Sequence, residues 1–120
     1  MEETTKTAER RRSKRRRARG YFEIVDYKTD QFLGCLADIT SSGIMVVSEN
    51  RLETGRHYRL KLKLNKEIDS RMHICFEAVG LWCKESIDPG FYNTGFEIIN
   101  LPDADRILIE KLTKSSMFDK

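Results

Sequence analysis

Between residues 58 and 64 the chain alternates without a lapse. Tyr58, Leu60, Leu62 and Leu64 are interleaved with Arg59, Lys61 and Lys63. Successive side chains of a β-strand point to opposite faces, so this segment carries one apolar and one charged face. Such a strand needs a core on one side and water on the other, as in an antiparallel sheet.

The flanking sequence repeats the theme in shorter pieces. Residues 21–27, 31–39 and 44–47 read as strands rich in aromatic and β-branched residues, separated by Lys28-Thr29-Asp30 and by a polar connection over residues 38–43. Residues 49–56 form a loop with Gly55 as its turn residue. Residues 72–84 read as a longer strand in which Met72, Ile74, Phe76, Ala78 and Trp82 share parity, with Gly80 marking a bend or bulge. Residues 86–90 turn the chain, and residues 91–99 form the last strand. After Pro102 the period changes to that of a helix, with Ile107, Leu108, Lys111 and Leu112 on one face and Asp103 and Asp105 near its positive end. The prediction is an all-β fold: six antiparallel strands forming a small barrel or a strongly twisted sheet, with a C-terminal α-helix over residues 102–118.

Charge is distributed unevenly. Eight of the ten residues from Arg10 to Arg19 are basic. Residues 1–20 hold nine Lys/Arg against three Glu, a balance of +6, and the rest of the chain holds thirteen basic and sixteen acidic residues, a balance of −3. Guanidinium groups at this density cannot be buried without partners, so residues 9–20 are expected to form a solvated, mobile arm that meets something anionic. Residues 1–8 are small and polar and are expected to be disordered, leaving residues 9–120 as one domain. A basic arm on a mildly acidic body favours one localised anion site. No apolar run reaches the roughly 18–20 residues needed to span a bilayer, and no apolar region follows the N-terminal charges. A cytoplasmic protein without membrane insertion is expected. Cys35, Cys75 and Cys83 are odd in number and lack a CxxC pair, the pattern of reduced thiols.

The connection after the second strand reads Asp38-Ile39-Thr40-Ser41-Ser42-Gly43. It offers a carboxylate, three hydroxyls and adjacent backbone N–H groups, ended by a glycine that permits positive φ. Carboxylates accept from guanidinium or from the N1 and N2 groups of guanine, while hydroxyls and amides donate to phosphate or guanine O6. Taken alone, these residues are explained by a turn that hydrogen-bonds to its own backbone.

Together, the arm and this turn resemble the PilZ domain family, which carries RxxxR ahead of a β-barrel and [D/N]xSxxG after its second strand. Arg11 and Arg15 supply the first motif and residues 38–43 the second, with Thr40 in place of the usual serine. The resemblance extends to Trp82, to Asn93-Thr94-Gly95-Phe96-Glu97-Ile98 and to the C-terminal helix, over residues 9–115. It implies binding of cyclic di-GMP, a second messenger with two phosphates and two guanines. By the same resemblance, Arg11 and Arg15 clamp and stack on the ligand, Asp38 and Thr40 bind guanine edges and phosphate, and Gly43 admits close approach. The arm would close over the ligand and alter the surface seen by a protein partner. Arg12 with Arg16 and Arg15 with Arg19 also fit RxxxR, although the distance to Phe22 and Ile24 favours Arg11 and Arg15. Arg10 adds a further ligand-binding candidate and leaves open one ligand or two.

Other chemistry has thin support. His73 and Cys75 share a strand face but have no second ligand cluster, so no metal site is expected. His57 reads as solvated. Glu77 and Glu97 have no acid/base partner in the sequence, and there is no Ser-His-Asp order, HExxH or Gly-rich nucleotide loop. A non-enzymatic protein without cofactor is expected. Trp82, Phe76 and Phe96 are expected in the core rather than as a stacking platform, and Arg59, Lys61 and Lys63 as a solvated face. The rival readings are a nucleic-acid-binding barrel whose arm neutralises phosphates, opposed by the acidic body, and a ligand-independent PilZ-like module that binds only protein.

Overall fold

The computed structural model describes residues 16–17 and 22–115. A two-residue strand β1 (Arg16–Arg17) precedes β2 (Glu23–Asp26), β3 (Phe32–Ile39), β4 (Gly43–Ser48), β5 (His57–Ile68), β6 (Arg71–Glu85), β7 (Tyr92–Ile99) and the helix α1 (Asp103–Thr113). Strands β2 to β7 pair antiparallel in the order β3-β2-β5-β6-β7-β4, and β4 pairs back onto β3 to close a six-stranded barrel. Closure leaves no open sheet edge around the ring. The strands expected over 31–39 and 91–99 each differ from the observed ones by one residue at one end, and those over 44–47 and 72–84 by one residue at both ends.

Alternation on β5 holds as read. Leu60 and Leu62 are fully buried and Tyr58 and Leu64 nearly so, all within one core with Ile24, Ile39, Ile44, Val46, Ile74, Phe76 and Phe96. The cations between them are exposed or half-buried and meet partners: Lys61 Nζ lies 3.0 Å from Asp30 Oδ1, and Lys63 Nζ 3.8 Å from Glu23. The hydrogen bond to Asp30 holds the Lys61 ammonium above its usual pKa. Asp30 stands in the β2–β3 turn with φ 62°. That turn is held by Asp26, whose Oδ2 accepts the Lys28 N–H at 3.0 Å, the Thr29 N–H at 2.9 Å and the Thr29 hydroxyl at 3.1 Å. The bond from the Thr29 N–H leads in pulling the Asp26 carboxyl below its ordinary value.

The helix closes the end of the barrel from which the β5–β6 hairpin projects. Leu108, Ile109 and Leu112 enter the core. The buried stripe is therefore rotated from the predicted face: Ile109 is 1% exposed and Ile107 is 52% exposed. Two ion pairs fix that rotation, Lys111 Nζ to Asp69 at 2.8 Å and Arg71 Nη2 to Asp105 at 2.9 Å. Lys111 is turned toward the hairpin tip and so cannot share the buried face. Pro102 is the N-cap and its carbonyl accepts the Arg106 N–H. Asp103 and Asp105 occupy the first turn, where negative charge meets the helix dipole.

In β6 the register shifts between Gly80 and Trp82. Gly80 pairs with Phe96 and Trp82 with Gly95, so one extra residue is inserted at Leu81. A bulge of this kind moves every following side chain to the other face. Ile74, Phe76 and Ala78 point inward as predicted, but Trp82 does not. Gly80 itself lies against the loop before β5, where a Cβ would meet the Glu53 carbonyl at 2.6 Å. Met72 also departs from the shared parity, being half exposed near the hairpin tip.

Candidate ligand site on the barrel wall

Strand β1 attaches to the upper half of β3, with Arg16 opposite Ile39 and Arg17 opposite Asp38. The lower half of the same β3 edge is taken by β2, where Glu23 faces Cys35. Arg16 and Arg17 are thus joined by their backbone to the strand that carries the Asp38 motif. Arg10, Arg11 and Arg15 lie outside the described residues, as do residues 1–8.

Following the register across the sheet from this point gives two adjacent rows. One runs from Ile39 to Ile44 to Phe96; all three are buried in the core. The other runs from Arg17 on β1 to Asp38 on β3, Met45 on β4, Gly95 on β7 and Trp82 on β6. Directly opposed residues share a face, so Asp38, Met45 and Trp82 lie on the outer wall. Met45 and Trp82 are half-buried there, and Asp38 is 6% exposed.

Trp82 corrects the expectation that it belongs to the core. Its indole lies over Gly95, where a Cβ would come within 2.4 Å of Cε2 and 2.5 Å of Nε1. Only glycine at residue 95 leaves the indole this position. The Lys84 ammonium stands 5.4 Å from the ring centroid, adding a cation at the rim. Phe76 and Phe96 are in the core as expected, and Phe96 meets Tyr58 edge to face at 5.4 Å. Unbroken parity along residues 72–84 puts Trp82 inside the barrel. The signal that relocates it was Gly80.

At the top of the row, residues 40–43 make a tight turn built on Thr40. Its Oγ1 accepts the Ser42 N–H at 3.2 Å and the Gly43 N–H at 3.1 Å, while its N–H donates to the Gly43 carbonyl at 2.8 Å. The Ser42 carbonyl accepts the Ile98 N–H at 2.9 Å, tying the turn to β7. Serine or threonine serves equally in this cap, and the threonine methyl adds β-strand preference. Gly43 does not use the positive φ open to it. Gly43 opens β4, buried and opposite Glu97, and the positive-φ glycines among the described residues are Gly55 and Gly90. The turn is closed by the Thr40 hydroxyl, so no left-handed residue is needed.

Elsewhere the surface carries less. His57 and His73 are exposed, and Cys35, Cys75 and Cys83 are free thiols. Burial raises the Cys75 pKa, and Cys83 Sγ accepts the Thr94 hydroxyl at 3.3 Å. Among the described residues no group of His, Cys, Asp and Glu is placed to hold a metal ion, and no helix is long and apolar enough to cross a membrane.

The closed barrel, its capping helix and the paired motifs have a common owner. The PilZ domain model matches residues 9–115, and the chain belongs to that family. Solved structures share the fold. The inhibitor of motility of Bacillus subtilis (MotI/DgrA) is 19% identical with a TM-score of 0.64 over 87% of this chain and 53% of its own. The PilZ domain of YcgR from Escherichia coli, solved with c-di-GMP, is 19% identical with a TM-score of 0.62 over 88% of this chain and 99% of its own. MrkH of K. pneumonia in its apo state is 17% identical with a TM-score of 0.65 over 86% of this chain and 50% of its own. The chain therefore spans about half the length of MotI/DgrA and of MrkH. No curated protein matches it.

Proposed function

We propose that this protein is a cyclic di-GMP receptor and adaptor, in which the dinucleotide binds between the arginine arm and the outer wall of the barrel. The observation that carries this reading is the row from Arg17 through Asp38, Met45 and Gly95 to Trp82. It lines up the backbone position of Arg17, the Asp38 carboxylate and the Trp82 ring across four strand pairings. A ligand with two phosphates and two purines needs those three chemistries. Guanidinium groups bind phosphate and guanine O6/N7 and stack on the base. A carboxylate accepts from the guanine N1 and N2 groups. An indole offers a π-face to a base.

Family membership supports the reading, since PilZ domains are typically non-enzymatic receptor domains and three of the structural neighbours were solved with c-di-GMP. Arg11 and Arg15, with Arg10, contribute the clamp; Asp38 and Thr40 contribute the guanine and phosphate contacts beside the start of β4 at Gly43. Arg16 stands opposite Ile39, directly before the Thr40 turn. Ligand binding would order residues 9–19 against the wall and present a new surface to a protein partner.

Trp82 is the chain's single tryptophan, so its fluorescence reports on the site. Cyclic di-GMP should change the emission saturably. Arg15→Ala and Asp38→Asn should each weaken binding by about ten- to a hundredfold, the worth of a charge-assisted hydrogen bond. Parent-like titrations from both variants would refute the site.

A further inference from the structure

The barrel end away from the helix carries a second built cleft, of about 230 Å³, between the β2–β3 turn and the loop before β5. Its lining includes Phe32, Leu52, Arg51, Arg56 and Tyr58. Phe32 is 52% exposed at its lip. Two guanidinium groups are held there against tyrosine rings. Arg56 lies 4.8 Å from the Tyr58 centroid and Arg51 4.9 Å from that of Tyr92. Tyr58 is anchored in turn, its hydroxyl accepting the Glu53 N–H at 2.9 Å.

The two arginines differ in charge balance. Arg56 has Glu53 at 3.6 Å. Arg51 has no carboxylate partner among the described residues, and stacking leaves its in-plane N–H donors available. The Asp26 carboxylate, also in the lining, is already engaged by the turn N–H groups. Beyond Arg51 the apolar surface continues into the β6–β7 turn, where Ile87 is 61% exposed and Phe91 38% exposed. A stacked, uncompensated arginine bordered by exposed aromatic and aliphatic groups has the make-up of an interaction hot spot.

We propose that this cleft is a docking site for a partner-protein segment bearing a carboxylate next to an aromatic side chain. The carboxylate is met by Arg51, and the ring packs between Phe32 and Leu52. The positive charge of Arg51 selects an acidic segment over a basic one. The site is independent of the nucleotide site, which it faces from the opposite end of the barrel.

The test is an amide-resolved NMR titration of the full chain with N-acetyl-Asp-Phe-amide at physiological salt. Saturable shifts are expected at residues 31–33 and 50–56. Arg51→Gln, or the N-acetyl-Asn-Phe-amide probe, should weaken them about tenfold. Phe32→Ser, at an exposed position that leaves the fold intact, should weaken them as well. Shifts confined to residues 9–20 would show that the basic arm alone attracts the carboxylate and would overturn the proposal. So would equal binding of the two probes, or parent-like binding by Arg51→Gln.

Discussion

The Trp82 indole occupies the space that a side chain at residue 95 would need: a Cβ there would lie 2.4–2.6 Å from three indole atoms. These two residues face each other across β6 and β7, on the wall that also carries Asp38. Gly95→Val should displace the indole from this seat. Forcing a side chain into such a contact costs about 1–3 kcal/mol. The emission of the single tryptophan should move to longer wavelength, and cyclic di-GMP binding should weaken. Unchanged emission would show that the indole does not depend on Gly95.

Thr40 holds its turn through one oxygen that accepts two backbone N–H groups. Thr40→Val keeps the shape and removes that acceptor. A loss of about 1–2 kcal/mol is expected in denaturant unfolding, as for a lost helix cap. Thr40→Ser should remain close to the parent, and a valine variant as stable as the serine one would remove the hydroxyl from the account.

At the capping helix, Leu108, Ile109 and Leu112 are in the core and Ile107 is outside it. Ile109→Ala should cost about 2–5 kcal/mol. Ile107→Ala should stay within about 0.5 kcal/mol of the parent. Thermal unfolding of the two variants distinguishes the observed rotation of the helix from the predicted one, which would reverse their order.

Asp26 gives a pH dependence of known sign. Its folded pKa lies below the ordinary carboxylate value because the Thr29 N–H, joined by that of Lys28, favours the charged form. The stabilisation is therefore present above the unfolded pKa and is lost as pH falls through the folded one. Asp26→Asn should lower stability at neutral pH and flatten the acid limb of the stability curve below about pH 4. An unchanged acid limb would remove Asp26 as a contributor.

Much of this fold was legible in the sequence because period-two alternation survives wherever strands are regular. Tyr58, Leu60, Leu62 and Leu64 showed their face directly, and residues 86–90 and 28–30 showed their turns by composition. What was lost was lost at irregularities. A single inserted residue at Leu81 reverses the face of Trp82, and parity carried across Gly80 buries an aromatic that lies on the outer wall. Helix rotation depended on Asp69 and Asp105 finding Lys111 and Arg71, contacts between elements far apart in sequence. Gly43 suggested a left-handed turn residue, yet the Thr40 hydroxyl had already closed that turn. The Asp38 motif and the basic segment were legible as motifs. Their juxtaposition needed the β1–β3 pairing, which a run of arginines does not advertise.

The most direct test of the receptor reading is isothermal titration of the full chain with cyclic di-GMP at moderate salt, with GMP and a short RNA as controls. Saturable heat with the cyclic dinucleotide alone is the predicted result, and its stoichiometry distinguishes one ligand from a stacked pair. Silence with cyclic di-GMP would contradict the account; binding of the RNA instead would assign the arm to nucleic acid, and silence with all three would leave a module that binds protein.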